Sequence, residues 1–174
     1  GALINNAKGG LGGKGGVSLN AASIDNSAQG LIDSSGTLEL SASSINNASG
    51  TINAQGALNV TATNLDNTDG RLAGAGSVTL DLLGILTNTK GVLSSAGPLV
   101  IKRSGQIDNL GGQLISQQLM SLRTGQLNNH LQGTVASNQQ LDLIVTGDLN
   151  NSEGGLIHSR DAGVSVSALG INNI

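Results

Sequence analysis

Apolar and polar residues alternate along "TLELSA" (37–42), "ALNVTA" (57–62) and "SVTLDL" (77–82), three stretches that begin twenty residues apart. A period of two marks a strand with one buried face. The pattern repeats along the chain in columns. One aliphatic column runs Leu11, Ile32, Ile52, Leu72, Leu93, Leu114, Val135 and Ile157. Two more, separated by a single residue, run from Val17 and Leu19 to Val164 and Val166, and a fourth runs from Ile4 to Ile171. Each repeat therefore predicts two or three short strands joined by Gly, Asn, Ser and Asp turns.

Three near-copies, "SIDNSAQG" (23–30), "SINNASG" (44–50) and "NLDNTDG" (64–70), carry the other regularity. An aliphatic residue precedes an Asx and an asparagine, and a glycine follows. The closing asparagine falls at Asn6, Asn26, Asn47, Asn67, Asn88, Asn109, Asn129, Asn151 and Asn173, in steps of 20–22 residues. Such a unit is too short for a strand–helix–strand crossover and long enough for one turn around a narrow interior. Stacked turns pair every strand in parallel with its own copy, about 4.8 Å away. Parallel crossovers are right-handed by strong preference. The expected fold is all-β: a right-handed parallel β-helix of roughly eight coils. One coil cannot stand alone, because ordering twenty residues costs more than four or five buried aliphatics return, so coil-to-coil contact supplies the rest. A leucine-rich repeat also has this length and an asparagine ladder, but its L-x-x-L-x-L spacing does not match the gap from Ile32 to Leu38.

In such a stack the recurring asparagine lies above its copy, and its amide both donates and accepts along the axis. Asparagine also tolerates the left-handed backbone a tight turn needs. In the preceding column Asp25, Asp66 and Asp108 never fall in adjacent coils, which avoids carboxylates stacked at about 5 Å. Carboxylates two coils apart cannot share one cation. The Asx pairs therefore read as structural, and no metal or cofactor is expected.

Composition sharpens this. The 174 residues include no Phe, Trp, Tyr or Cys, one proline (Pro98) and 27 glycines, with a formal net charge of −3. Small and medium aliphatics suit a narrow, regular interior. Along the chain the lysines and arginines are scattered and no ring can stack on a base, which argues against nucleic acid. No apolar run reaches the roughly 18 residues that would span a membrane. No signal-peptide pattern is present, and the chain opens within a repeat. The expectation is one repeat segment, residues 1–174, taken from a longer array.

Candidates for chemistry are few. "KGGLGGKGG" (8–16) has Lys8 and Gly15 where a phosphate loop needs Gly and Ser or Thr, so it reads as a glycine-rich turn. It also lacks the aspartates of calcium-binding glycine repeats. His130 and His158 have no second ligand at metal spacing and read as surface residues. No G-x-S-x-G elbow occurs. Arg103 falls at a nominally inward position, where other repeats have Ala21, Ala42 and Ala62. The extra residues in "LDLLGILTN" (80–88) and "IKRSGQIDN" (101–109) predict a bulge through two neighbouring coils that turns Arg103 outward.

"GTINAQGALNVTATNLDN" (50–67) and "GLIDSSGTLELSASSINN" (30–47) resemble haemagglutinin-type repeats, G-x-[IL]-x-[AS]-x-G-x-L-x-[LV]-x-A-x-x-[IL]-[DN]-N. The resemblance covers the whole chain, while "ISQQLMSLRTGQLNNHLQG" (115–133) departs somewhat from it. These repeats occur in large exported filamentous proteins of Gram-negative bacteria, namely filamentous haemagglutinin-like adhesins and contact-dependent growth inhibition effectors. The resemblance implies export by two-partner secretion through an outer-membrane pore and a stalk at the cell surface. It carries over no catalytic residue. The expected function is a structural and adhesive rod, with a target-cell receptor or glycan as partner. The alternative is a β-helical polysaccharide-degrading enzyme or glycan-binding module. Against an enzyme, coil length varies too little for loops to wall a cleft.

Overall fold

The computed structural model describes residues 2–174. They form a parallel β-solenoid of about eight turns, roughly 21 residues apart, with no helix. Each coil contributes three strand segments. The first row runs from Gly10–Gly13 through Thr51–Ala54 to Leu156–Ser159 and forms an eight-stranded parallel sheet. The second and third rows belong to one fifteen-stranded sheet, because they fuse in the nine-residue strands Leu38–Asn46 and Leu58–Asp66.

The register stacks like on like. Ile52 lies opposite Ile32 on one side and Leu72 on the other. In the second row Leu58 pairs with Leu38 and Val78, and Val60 with Leu40 and Leu80. In the third row Leu65 lies between Ile45 and Leu86. These columns point inward and are almost wholly buried from Ile24 to Leu149. Strand polarity follows from this: in Leu58–Asp66 inward Leu58, Val60, Ala62 and Leu65 are buried, while Asn59, Thr61, Thr63 and Asn64 stay at least partly accessible. Burying one medium aliphatic contributes about 1.5–3 kcal/mol, so the columns are the principal cohesive element of the rod.

The structure corrects two expectations about the turns. The ladder asparagines do not adopt the left-handed conformation. It falls two or three residues later, at Lys8, Ser49, Asp69, Lys90 and Gly111, and at the pairs Ala28–Gln29, Leu131–Gln132 and Glu153–Gly154. The reason is that each asparagine sits just past a strand end and still continues the hydrogen bonding between coils: Asn26 N–H donates to Asn46 C=O at 2.7 Å. The chain reverses only afterwards. Nor is the glycine-rich stretch simply a turn. Gly10–Gly13 is a strand paired with Leu31–Ser34, with the turn at Ala7–Lys8 before it and a bend at Lys14–Gly15 after it.

Arg103 points outward, as the expected bulge requires. The pairing of Val78–Leu82 with Leu99–Arg103 shifts between Leu80 and Asp81, so that Asp81 faces Arg103 and Lys102 is the extra residue. The inward place passes to Ser104, whose buried hydroxyl donates to Thr124 Oγ1 at 2.8 Å. The corner between the second and third rows also changes here. In Leu38–Asn46 and Leu58–Asp66 the strand runs through the corner; in the coils that follow a glycine lies in the break, at Gly84, Gly105, Gly125 and Gly147. At the junction Asn64 Oδ1 accepts the Ile85 N–H at 2.9 Å, a side chain standing in for a strand carbonyl.

Candidate functional site

The asparagines form a continuous spine. Each Nδ2 donates to Oδ1 of the next coil, at 2.7–2.8 Å, from Asn6 through Asn26, Asn47, Asn67, Asn88, Asn109, Asn129 and Asn151 to Asn173. The second hydrogen of most of these amides meets a backbone carbonyl of the next coil; Asn47 Nδ2, for example, donates to Arg71 O at 3.0 Å. The six from Asn26 to Asn129 have no exposed surface. Buried amides are tolerated because both ends are satisfied.

Two local devices hold the spine in place. In several coils the residue before the asparagine builds an Asx turn: the N–H of Ser27, Ala48 and Thr68 donates to Oδ1 of Asp25, Asn46 and Asp66 at 2.9–3.1 Å. The alternation of aspartate with neutral residues is used directly, since Asn128 Nδ2 donates to Asp108 at 2.7 Å and Asn46 Nδ2 to Asp25 at 3.2 Å. Behind the spine, glycine closes each turn. A β-carbon on Gly50, Gly70, Gly91, Gly112 or Gly133 would overlap the carbonyl oxygen of the asparagine one coil back.

A second polar column escaped sequence reading. Ser34, Ser95, Ser116, Ser137 and Ser159 are buried at the end of the first row. Ser95 Oγ lies 3.0 Å from both Gly76 O and Pro98 O, and Ser159 Oγ 2.7 Å from Gln139 O. The signal was the recurring serine two residues after the first-row aliphatic, masked by Ala54 and Gly74 at the same place.

The outer surface carries little chemistry. Arg103 Nε donates to Asp81 Oδ1 at 2.5 Å in a largely exposed pair. Arg160 pairs with Asp161; their hydrogen bond holds the Asp161 carboxyl below its ordinary range and raises Arg160. His130, half-buried in a turn, has Nδ1 3.6 Å from Glu153 Oε2 and makes no hydrogen bond there, whereas His158 is exposed. The two histidines lie in different coils. Among the described residues no three His, Asp or Glu side chains converge as metal ligands. We expect a chelator such as EDTA to leave the β-sheet circular dichroism and the melting temperature unchanged; loss of the β signal on chelation would place a cation in the turns.

A parallel β-solenoid with aliphatic columns, an amide spine and flat polar faces defines a repeat rod. The haemagglutinin repeat family matches residues 1–47, 33–90, 78–152 and 121–174. The matches together span the chain, which belongs to that family. The family's role is structural or adhesive, and it points in general to secreted and cell-surface proteins. No curated protein and no solved structure matches the chain.

Proposed function

We propose that this chain is a stalk segment of a large exported cell-surface protein of a Gram-negative bacterium. It leaves the cell through an outer-membrane pore and projects a receptor-binding or toxin region, as one stretch of a longer array. The observation that carries the reading is the constancy of the cross-section. Inward aliphatics, spine and turn glycines recur in every coil with no inserted loop, so the fold specifies length and stiffness rather than a cleft. By the inter-strand spacing, about eight coils extend roughly 40 Å. The chain's acids are spread along it rather than gathered in facing pairs, which supports a non-enzymatic role. Modular stacking of this kind makes stability a sum of coil and interface contributions.

Deletion in phase tests the rod. Removing residues 48–67 joins Asn47 to Thr68 and sets Asn88 against Asn47, with every column intact. This variant folds, and small-angle scattering reads it as shorter by about one strand spacing, roughly 5 Å. Removing residues 48–57 instead puts turns against strands, and this variant loses its β signal. Equal loss of structure in both variants would overturn the rod reading.

A further inference from the structure

The turns that follow the spine are not all alike. Between the asparagine and its closing glycine most coils hold two residues, as in Ala48–Ser49. After Asn129 there are three, His130, Leu131 and Gln132, and after Asn151 again three, Ser152, Glu153 and Gly154. The longer turns carry two successive left-handed residues, Leu131 with Gln132 and Glu153 with Gly154. A side chain is costly at such a φ, so Leu131 and Gln132 are held there by their neighbours. Coil contact loosens where a two-residue turn meets a three-residue one. There Gly111 N–H donates to His130 C=O at 3.3 Å, and Lys8 N–H to Ser27 C=O also at 3.3 Å. Between turns of equal length, Ser49 N–H reaches Thr68 C=O at 2.9 Å, and Gln132 N–H reaches Glu153 C=O at 3.0 Å.

Across the contact between the two long turns an imidazole faces a carboxylate. His130 Nδ1 lies 3.6 Å from Glu153 Oε2. Among the described residues it is the one buried side-chain nitrogen or oxygen with no hydrogen-bond partner. Buried polar atoms are almost always paired, which makes this atom the exception in the rod. The two side chains differ in freedom: that of His130 is 23% exposed and that of Glu153 is 59% exposed. The ring is held and the carboxylate can swing. Among the described residues no other carboxylate lies within 4 Å of His130. From the coils before, the stem of Lys90 lies over Gly111, and Asp108 is bonded to Gln106 and Asn128. In the coil after, Ser152 is uncharged and its hydroxyl donates to Asn150 Oδ1.

We infer that His130 and Glu153 form a strap between successive coils that acid closes. The neutral ring carries one hydrogen only, and with it on Nε2 the Nδ1 lone pair faces the carboxylate. Protonation puts a hydrogen on both nitrogens and a positive charge on the ring. A charge-assisted N–H···O bond spans about 2.7–2.9 Å, so the Glu153 carboxylate has to move by less than about 1 Å. The direction with pH follows from which form gains the partner. The stabilisation is present while the ring is charged and is lost as the pH rises through the range in which histidines titrate, about pH 5–8. Glu153 must also stay ionised, and carboxylates lose their charge near about pH 4. The strap is therefore closed at roughly pH 5–6 and open above neutrality. His158 supplies no second strap, because it is exposed and forms no ion pair.

The test is amide hydrogen exchange of the 174-residue chain, read by NMR at about pH 5.5 and about pH 7.5, with each rate divided by the intrinsic rate at that pH. The reporter is Gln132 N–H, which bonds across the strapped contact, and the reference is Ser49 N–H in a two-residue turn. Protection at Gln132 is about two- to fivefold greater at the lower pH, the range of a partly exposed ion pair. Ser49 shows no such gain. Glu153→Gln and His130→Gln each abolish it, whereas His158→Gln retains it. Circular dichroism checks that each variant is folded. Glu153 is largely exposed, so its variant keeps the test in force should His130→Gln fail to fold. Four results would overturn the inference: no gain in the unaltered chain, a gain that survives Glu153→Gln, a gain lost in His158→Gln, or an equal gain at Ser49.

Discussion

Asn67→Leu destabilises the rod by about 2–6 kcal/mol in urea unfolding. Leucine keeps the same branched heavy-atom skeleton, so the loss is chiefly in polarity. Two spine hydrogen bonds vanish, from Asn47 Nδ2 to Asn67 and from Asn67 Nδ2 to Asn88. The Asn47 hydrogen and the Asn88 oxygen remain behind at positions with no exposed surface. Each buried polar group left unsatisfied costs about 1–3 kcal/mol. Total stabilities of domains are commonly 5–15 kcal/mol, so one rung is a large fraction. The matched control is Asn59→Leu, on the outward face of the same coil, which shifts stability by no more than about 0.5 kcal/mol. Equal effects at the two positions would show that the spine contributes no more than any surface amide.

Gly112→Ala is expected to cost a comparable amount, about 2–4 kcal/mol, by a different route. Its backbone dihedral is an ordinary one, unlike that of Gly111. The obstacle is space: a β-carbon there would overlap Asn88 O and crowd Asn109 Oδ1. The first of these is main chain of the neighbouring coil, so relief must separate two coils and stretch the spine between them. Gly10→Ala supplies the contrast, since nothing lies within contact distance of its β-carbon. A small, equal response at Gly10 and Gly112 would mean that coils slide apart without penalty.

The columns and the spine were legible because both depend on side chains that repeat at a fixed interval. Ile52, Leu58, Val60 and Leu65 announce their direction through alternation, and stacking copies the answer into every coil. The left-handed turn positions were not legible. Lys8, Ser49, Asp69 and Lys90 share no side-chain chemistry, because the backbone there is imposed by the sheet on one side and the glycine on the other. The buried serines were hidden for a related reason: Ala54 and Gly74 satisfy the same space without a hydroxyl. Gly10–Gly13 reads as a turn by composition, yet neighbouring Leu31–Ser34 templates it as a strand.

The spine also has a direction. Every one of its eight hydrogen bonds points from the earlier coil to the later one. A single amide cannot rotate by itself: a flipped Asn88 would set oxygen against the Asn109 oxygen and NH2 against the Asn67 NH2. The whole column could reverse only in concert, and the carbonyls of Arg71, Gln113 and Thr134, which accept the second hydrogens, forbid that as well. The amide dipoles therefore add like aligned compass needles, so that a cylinder built of near-identical discs still has a fixed electrical head and tail.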